Sequence, residues 1–396
     1  MGNRKQTESG RRPLFTPTAA AFITFIPTGI VNVLVGPLLP TLSARWALND
    51  TQAGALFTAQ FLASTVGVVF SGIVVPRFGY RVVMVLGLTC MAMGVSTLMA
   101  GSWMFGLASV ACLGAGFGLT IPTSNLLVAA ANPQGKAAAL NVLNFAWSVG
   151  AVACPFLVAG FEANGQTSTL LYGLGACIFL VAVLLAGVPL PDPGRVKPLA
   201  PQPVGSFPSL LMTPAALLLG TLFFVYVGTE NAVGGWLASY AKRLLDRPAA
   251  GWATTPSYFY GALLAGRLVG PLPLRRISDL KMARIGVTTA GLGVAGLLAA
   301  RSIVWVRASA CVIGLGLSAV YPITIALLSH KFGRAANRLG SVMFALAGFG
   351  GACVPWVVGF TSTRFSSLKL GLSVPLAGCA IMLVIYLQDW TGQEPG

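Results

Sequence analysis

The chain has 396 residues, 56% of them hydrophobic and 9% charged, with a formal net charge of +16. An ordinary soluble domain carries about 25% charged residues, so this composition excludes a soluble globular protein. It also argues against nucleic-acid binding, because the basic residues are scattered through short interruptions between apolar runs and build no basic face.

Residues 1–15 are polar and basic and read as a cytoplasmic tail without a signal-peptide cleavage site. Apolar runs follow near 16–41, 51–74, 82–101, 104–131, 136–160 and 168–190, then near 210–233, 252–274, 282–300, 303–329, 336–361 and 367–388. One helical crossing of a bilayer takes roughly 20 apolar residues. The runs are too long, and too even in polarity, for barrel strands of about 10 residues with a period of two. They therefore predict an all-α integral membrane protein with twelve transmembrane helices, spans 1 to 12.

An even number of spans puts both termini on one side. If that side is the cytoplasm, the inside segments hold 16 Lys and Arg and the outside segments 8, while Arg267 falls within span 8. This excess is the positive-inside pattern, and the bases would also hold anionic headgroups. The chain reads as a multi-pass protein of the inner or plasma membrane, monomeric, with lipid and a small solute as its partners and no nucleic acid. Its seven cysteines lie in or beside spans without a CxxC pair, as buried free thiols do, and no metal site is expected.

The sequence repeats at about half its length. Gly29, Asn32 and Gly36 recur as Gly228, Asn231 and Gly235 at an offset of 199, and Gly114, Gly116, Pro122 and Pro155 recur as Gly314, Gly316, Pro322 and Pro355 at an offset of 200. The molecule is thus expected as two parallel six-helix halves, 16–190 and 210–388, with a short cytoplasmic tail 389–396. Residues 191–209, PDPGRVKPLAPQPVGSFPS, contain six prolines and no apolar face, which suits an extended cytoplasmic linker. Parallel halves around a site at the bilayer midplane are a common plan of secondary transporters.

Polar residues within the spans are the candidate site. In chain order they are Asn32 in span 1, Gln60 in span 2, Thr120, Ser124 and Asn125 in span 4, and Asn141, Asn144 and Ser148 in span 5. The span 5 trio is spaced i, i+3, i+7 beside Trp147 and so shares one helix face. In span 7, YVGTENAVGGWL carries Tyr226, Glu230, Asn231 and Trp236. Amides bond hydroxyls as donor and acceptor, and aromatic faces stack on the apolar face of a sugar ring. Membrane amides also serve as glue between helices, and the sequence leaves both readings open.

Glu230 is the one acid of nine deep within a span. A carboxylate there costs on the order of 2.5–3.5 kcal/mol on insertion scales, so it must face a cavity, be protonated or be paired. Val31 stands at the repeat-related position, so the duplicated framework does not need the charge. Arg267 is the candidate partner. The following Gly234 and Gly235 read either as close-packing residues or as a helix break that would expose backbone to a ligand. His330 is expected at headgroup level.

The stretch GIVVPRFGYR at 72–81 resembles the loop motif of the major facilitator superfamily through Gly72, Arg77, Gly79 and Arg81. Pro76 stands where that motif has an Asp, and Leu274 stands there in the second half, so the family's acidic latch is not carried over. GIVNVLVGPLLPTL in span 1, TQAGALFTAQF in span 2 and YVGTENAVGGWL in span 7 look like the fucose-permease-like sugar symporters and their sodium-glucose relatives. That branch has acids in spans 1 and 4, where this chain reads NVLVGPLLP and GLTIPTSNLL.

The resemblance implies secondary active transport of a small polyhydroxylated solute, a sugar, by alternating access. Glu230 would be the coupling or ligand-binding acid with Arg267 beside it. No cofactor is expected beyond a co-transported proton or sodium ion. The alternatives are an exporter of amphipathic or drug-like compounds and a non-transporting receptor or scaffold on the same fold. One histidine, no HExxH and no GxxxxGK[ST] argue against an enzyme. The charge pattern also predicts that a cysteine placed at Ser206 is alkylated by an impermeant maleimide only after intact cells are opened; labelling without opening would reverse the orientation.

Overall fold

The computed structural model describes residues 16–191, 207–244, 251–270 and 277–388. Both tails, most of the linker, and the 271–276 loop with Leu274 and Arg275 lie outside the described residues. Span 1 is a bent pair, Pro17–Val33 and Val35–Arg45, at 42° to each other. Pro37 and Pro40 just beyond the break remove the backbone donors that would have carried one straight ladder through. Spans 2 and 3 run together as Asp50–Thr97, 48 residues, or roughly 70 Å of helix at 1.5 Å per residue, twice a bilayer. Gly79 divides them with φ 80° and ψ 168°. The motif glycine thus has a physical role, since φ in that region favours a residue without Cβ.

Span 4 is Trp103–Ala131, span 5 Lys136–Glu162 and span 6 Thr167–Ala186. A short helix, Phe207–Leu211, occupies the end of the segment read as an extended linker. Span 7 is Pro214–Leu244, span 8 Thr255–Val269 and span 9 Asp279–Ala299. Span 10 is broken into Ile303–Leu317 and Val320–Phe332, whereas its repeat partner span 4 runs unbroken over Pro122. Span 11 is Ala336–Phe365 and span 12 Ser373–Leu387, preceded by the short helix Leu368–Gly371.

The repeat is built as the same backbone contacts in each half. A Cβ on Gly114 would lie 2.2 Å from the Gln60 carbonyl oxygen, and one on Gly314 would lie 2.3 Å from that of Phe259, 199 residues after Gln60. Gly116 faces the carbonyl of Gly87 at 2.5 Å, and Gly316 faces that of Gly286 at 2.6 Å. These glycines let spans 2 and 4, 3 and 4, 8 and 10, and 9 and 10 touch backbone to backbone, the usual basis of adhesion in lipid.

The two halves meet at the face away from the termini, called the distal face here. There Gly36 of span 1 crosses Gly235 of span 7, its own repeat counterpart, so closely that a Cβ on Gly36 would lie only 3.0 Å from the Gly235 Cα. Gly54 lies against the Trp356 backbone and Gly359 against the Asp50 carbonyl, closing span 2 on span 11. That seam continues inward to Thr65 and Gly348. Beyond it Val66, Val69, Phe70 and Ile73 of span 2 are exposed.

Overpacking such a contact costs about 1–3 kcal/mol. Gly350→Ala, whose Cβ would stand 1.9 Å from the Phe224 carbonyl oxygen, should therefore lower the thermal unfolding midpoint in detergent by several degrees. Gly173→Ala, with nothing within 4 Å, should leave it unchanged or raise it.

Candidate functional site

Glu230 sits midway along span 7, and Arg267 lies near the described end of span 8. Arg267 Nη2 is 3.8 Å from Glu230 Oε1, with the side chains 27% and 13% exposed. The separation satisfies charge against charge but is too long for a direct hydrogen bond. Both groups keep bonding capacity for a third partner. Tyr226, one turn before Glu230, interacts with both members of the pair and donates its hydroxyl to the Leu317 carbonyl at 3.1 Å. Its ring stacks on Tyr321 of span 10 at 5.3 Å between centroids, and Tyr321 also lies in the field of the pair.

Gly234 and Gly235 do not break span 7, which is continuous. They make room: a Cβ on Gly234 would be 2.3 Å from the Tyr260 hydroxyl, and one on Gly235 2.6 Å from the Phe57 ring. Tyr260 is thereby held over the turn that follows Glu230. The close-packing reading of these glycines holds.

Span 5 supplies the second group. Asn141 and Asn144 are exposed, Ser148 is buried and Trp147 is half-buried. Val152 continues the same face, three turns after Asn141, and its carbonyl accepts a hydrogen bond from Ser257 of span 8 at 2.8 Å. The face that seals against span 8 at the distal end thus carries two amides toward the termini face. Asn144 donates one N–H to Leu140 at 2.9 Å, leaving its Oδ1 and other N–H free to bind.

The remaining predicted residues divide by placement. Asn125 and Asn231 are half-buried and donate to Ile121 and Val227, each at 2.8 Å. Gln60 is fully buried, and its amide nitrogen bonds the Asn32 carbonyl at 2.8 Å, joining spans 2 and 1 as glue. Gln60 Oε1, Ser124 Oγ and Trp147 Nε1 are buried without a partner among the described residues. Trp236, read from the sequence as a stacking platform, is 1% exposed, donates to the Pro355 carbonyl at 2.9 Å and packs on Phe57 across the two halves. The structure places it in the distal contact, away from the amides. In the loop motif Arg77 and Arg81 are exposed, and Gly72 has no close neighbour.

Sequence reasoning missed Tyr260 and Tyr321: Tyr321 adjoins Pro322 of the repeat, but nothing in that pattern marks either tyrosine as a neighbour of Glu230. Asp50 and Glu162 fall just outside the apolar runs 51–74 and 136–160 and so carry no signal of their own in the sequence. Asp50 begins span 2 and binds Arg243 and Ser362. Glu162 ends span 5 and accepts from Thr41 and Thr167.

Residues 20–360 match the family model of the Major Facilitator Superfamily. The chain is 28% identical over 382 residues to a glucose/galactose transporter of Brucella abortus biovar 1 (strain 9-941), covering 89% of each chain. It is 20% identical over 385 residues to the glucose/mannose transporter GlcP of Bacillus subtilis (strain 168), covering 94% of each. Among solved structures it is similar to a D-xylose-proton symporter, with TM-score 0.79, 15% identity, and 94% of this chain and 96% of that one covered. It is also similar to the E. coli fucose:proton symporter FucP, with TM-score 0.63, 19% identity, and 94% and 98% covered.

The exposed amides of span 5 and the buried Gln60 are expected to differ in what their loss costs. Asn141→Ala and Asn144→Ala should weaken solute binding roughly 5- to 150-fold, as losing one partner in a desolvated site costs about 1–3 kcal/mol, with little change in thermal stability. Gln60→Leu should do the reverse, lowering the unfolding midpoint more than the affinity. Titration calorimetry and a melting curve on each variant read both quantities.

Proposed function

The chain belongs to the Major Facilitator Superfamily, and on that premise we propose that it carries a hexose-type sugar across the membrane by alternating access, coupled through Glu230. The observation that carries this reading is the Glu230–Arg267 pair, 3.8 Å apart without a direct hydrogen bond, midway through the bundle. The names of the Brucella and Bacillus relatives supply the solute class, and the proton symporters of like fold supply the coupling ion. With the termini taken as cytoplasmic from the charge pattern, the distal face is the outside. The molecule is then seen closed to the outside, with its amides exposed toward the cytoplasm.

The chemistry follows from the environment. A carboxylate in a low-dielectric site is costly unless a cation answers it or a proton neutralises it. Arg267 is the cation that answers the Glu230 carboxylate, 3.8 Å away. Protonating Glu230 frees the guanidinium, whose fixed fork of donors then turns to the solute hydroxyls, while the neutral carboxyl donates one hydrogen bond of its own. Proton and sugar thus favour each other at the pair. Tyr226 and Tyr321 keep the guanidinium in place from one side. Asn141 and Asn144 bind hydroxyls from the facing half, with Trp147 as the apolar face for the ring.

Reconstituted vesicles test the reading. The wild-type protein should accumulate labelled glucose or galactose when a proton gradient is imposed. Glu230→Gln keeps the shape but not the titratable charge, so it should still exchange sugar between equal-pH compartments while losing gradient-driven accumulation. Accumulation by Glu230→Gln at the wild-type level would remove the coupling role. Absence of any sugar flux in the wild type would remove the solute class.

A further inference from the structure

Comparing the two seams between the halves reveals a symmetric part and an asymmetric part. Thr58 of span 2 donates to the Ala352 carbonyl of span 11 at 2.8 Å, and Ser257 of span 8 donates to the Val152 carbonyl of span 5 at 2.8 Å. Ser257 follows Thr58 by 199 positions, and Ala352 follows Val152 by 200, so these are one bond made twice, on either side of the Gly36–Gly235 crossing. A hydroxyl bonding a carbonyl already engaged in its own helix is a weak link that can break and re-form.

The rest of the seam has no counterpart. Asp50, 14% exposed at its side chain, takes both guanidinium nitrogens of Arg243 at the end of span 7 and the hydroxyl of Ser362 at the end of span 11. Next to it the Thr51 amide donates to Thr363 Oγ1 at 2.9 Å. At the repeat-related positions the sequence has Ala249 and Ala250 for Asp50 and Thr51, Ala44 for Arg243 and Ala163 for Thr363. None of these side chains can form an ion pair or a hydrogen bond. Glu162 stands for Ser362, and it accepts from Thr41 and Thr167 of its own half.

We infer that the distal gate is latched on one seam only: Asp50, clamped by Arg243 and Ser362, is a gate residue that holds the distal face shut, while the span 5–span 8 seam is closed, among the described residues, by the lighter hydroxyl bond. Bidentate, charge-assisted bonds are about twice as strong as neutral ones. The clamp ties together three helix ends, those of spans 2, 7 and 11. Its loss leaves the 2–11 seam to the Thr58 hydroxyl and the Thr51 amide, bonds of the same neutral kind as the Ser257 bond on the other side. The inference rests on the transporter reading for its purpose but not for its measurement.

The test uses the full chain in sealed right-side-out membrane vesicles, with a cysteine at Asn32, one turn inside the Gly36 crossing, as a reporter. An impermeant maleimide added outside reaches that thiol only through the open distal gate, so its alkylation rate, corrected for the same chain without the reporter, tracks the open population. Asp50→Asn and Arg243→Gln should each raise the rate on the order of five- to tenfold, discounted from a buried pair because Arg243 is half exposed. The exchange Asp50→Arg with Arg243→Asp should bring it back toward the parent. Ser257→Ala should raise it less than either. Parent-like rates in both single variants, or an effect of Ser257→Ala equal to theirs, would overturn the one-sided latch. Fast labelling of the parent would show that the reagent reaches the termini face, and the same comparison is then read from inverted vesicles. Sugar is absent throughout, so a failed latch leaves the solute reading standing, and a failed sugar assay leaves the latch standing.

Discussion

Apolar side chains gain little by leaving lipid for one another, so helices in a bilayer adhere where their backbones can touch. The glycines of this protein meet that constraint, and both the duplication and the gate follow from it. Gly114 against Gln60 and Gly314 against Phe259 are the same contact in each half, although a glutamine and a phenylalanine supply the carbonyl. Only the backbone needs to match. Side chains along these spans were free to diverge, and the two halves came to carry different chemistry on one framework.

The divergence sorts by half. The N-terminal half holds neutral amides, Asn141 and Asn144, facing outward from span 5. The C-terminal half holds the charge pair, with Val31 and Val68 at the positions repeat-related to Glu230 and Arg267. Such a division suits a solute with many hydroxyls. On the proposed function each half supplies its own partners for the solute, which then bridges halves that bond directly at the distal face. A site built wholly in one half would have no leverage on the relative position of the two.

The spans, the duplication and the buried acid were legible in the sequence because each rests on a pattern that bilayer physics enforces: long apolar runs, an offset of 199 to 200 in Gly and Pro, and one carboxylate where carboxylates are costly. Gly79 shows the limit. Its motif was recognised, but nothing in the residue string states that it adopts φ 80° and turns one 48-residue helix into two spans. Trp236 shows another, since a tryptophan beside a buried acid reads equally as a stacking platform and as a wedge between halves. Only its burial and its packing on Phe57 of the other half decide. Tyr260 and Tyr321 were out of reach because their nearness to Glu230 comes from helix packing, without a trace in spacing. Thr58 and Ser257 were within reach, for the same offset that matched the glycines also matches them.

Span 7 connects the site to the gate. Glu230 and Gly235 are five residues apart, about 7 Å along one helix, and the helix is unbroken between them. The same rod ends at Arg243, which clamps Asp50. Whatever binds at the Glu230–Arg267 pair therefore acts on the helix that forms both the central crossing and one arm of the latch. A ligand shifts such an equilibrium only by the difference in its affinity for the two states. The requirement here is that the pair, the tyrosines and the span 5 amides converge on the solute better in one state than in the other. A rigid span 7 converts that preference into movement at Gly235 without any separate relay. It also explains why Gly234 and Gly235 carry no side chain: tight seating against Tyr260, Phe57 and Gly36 makes a small tilt of the helix felt at once on both sides of the crossing.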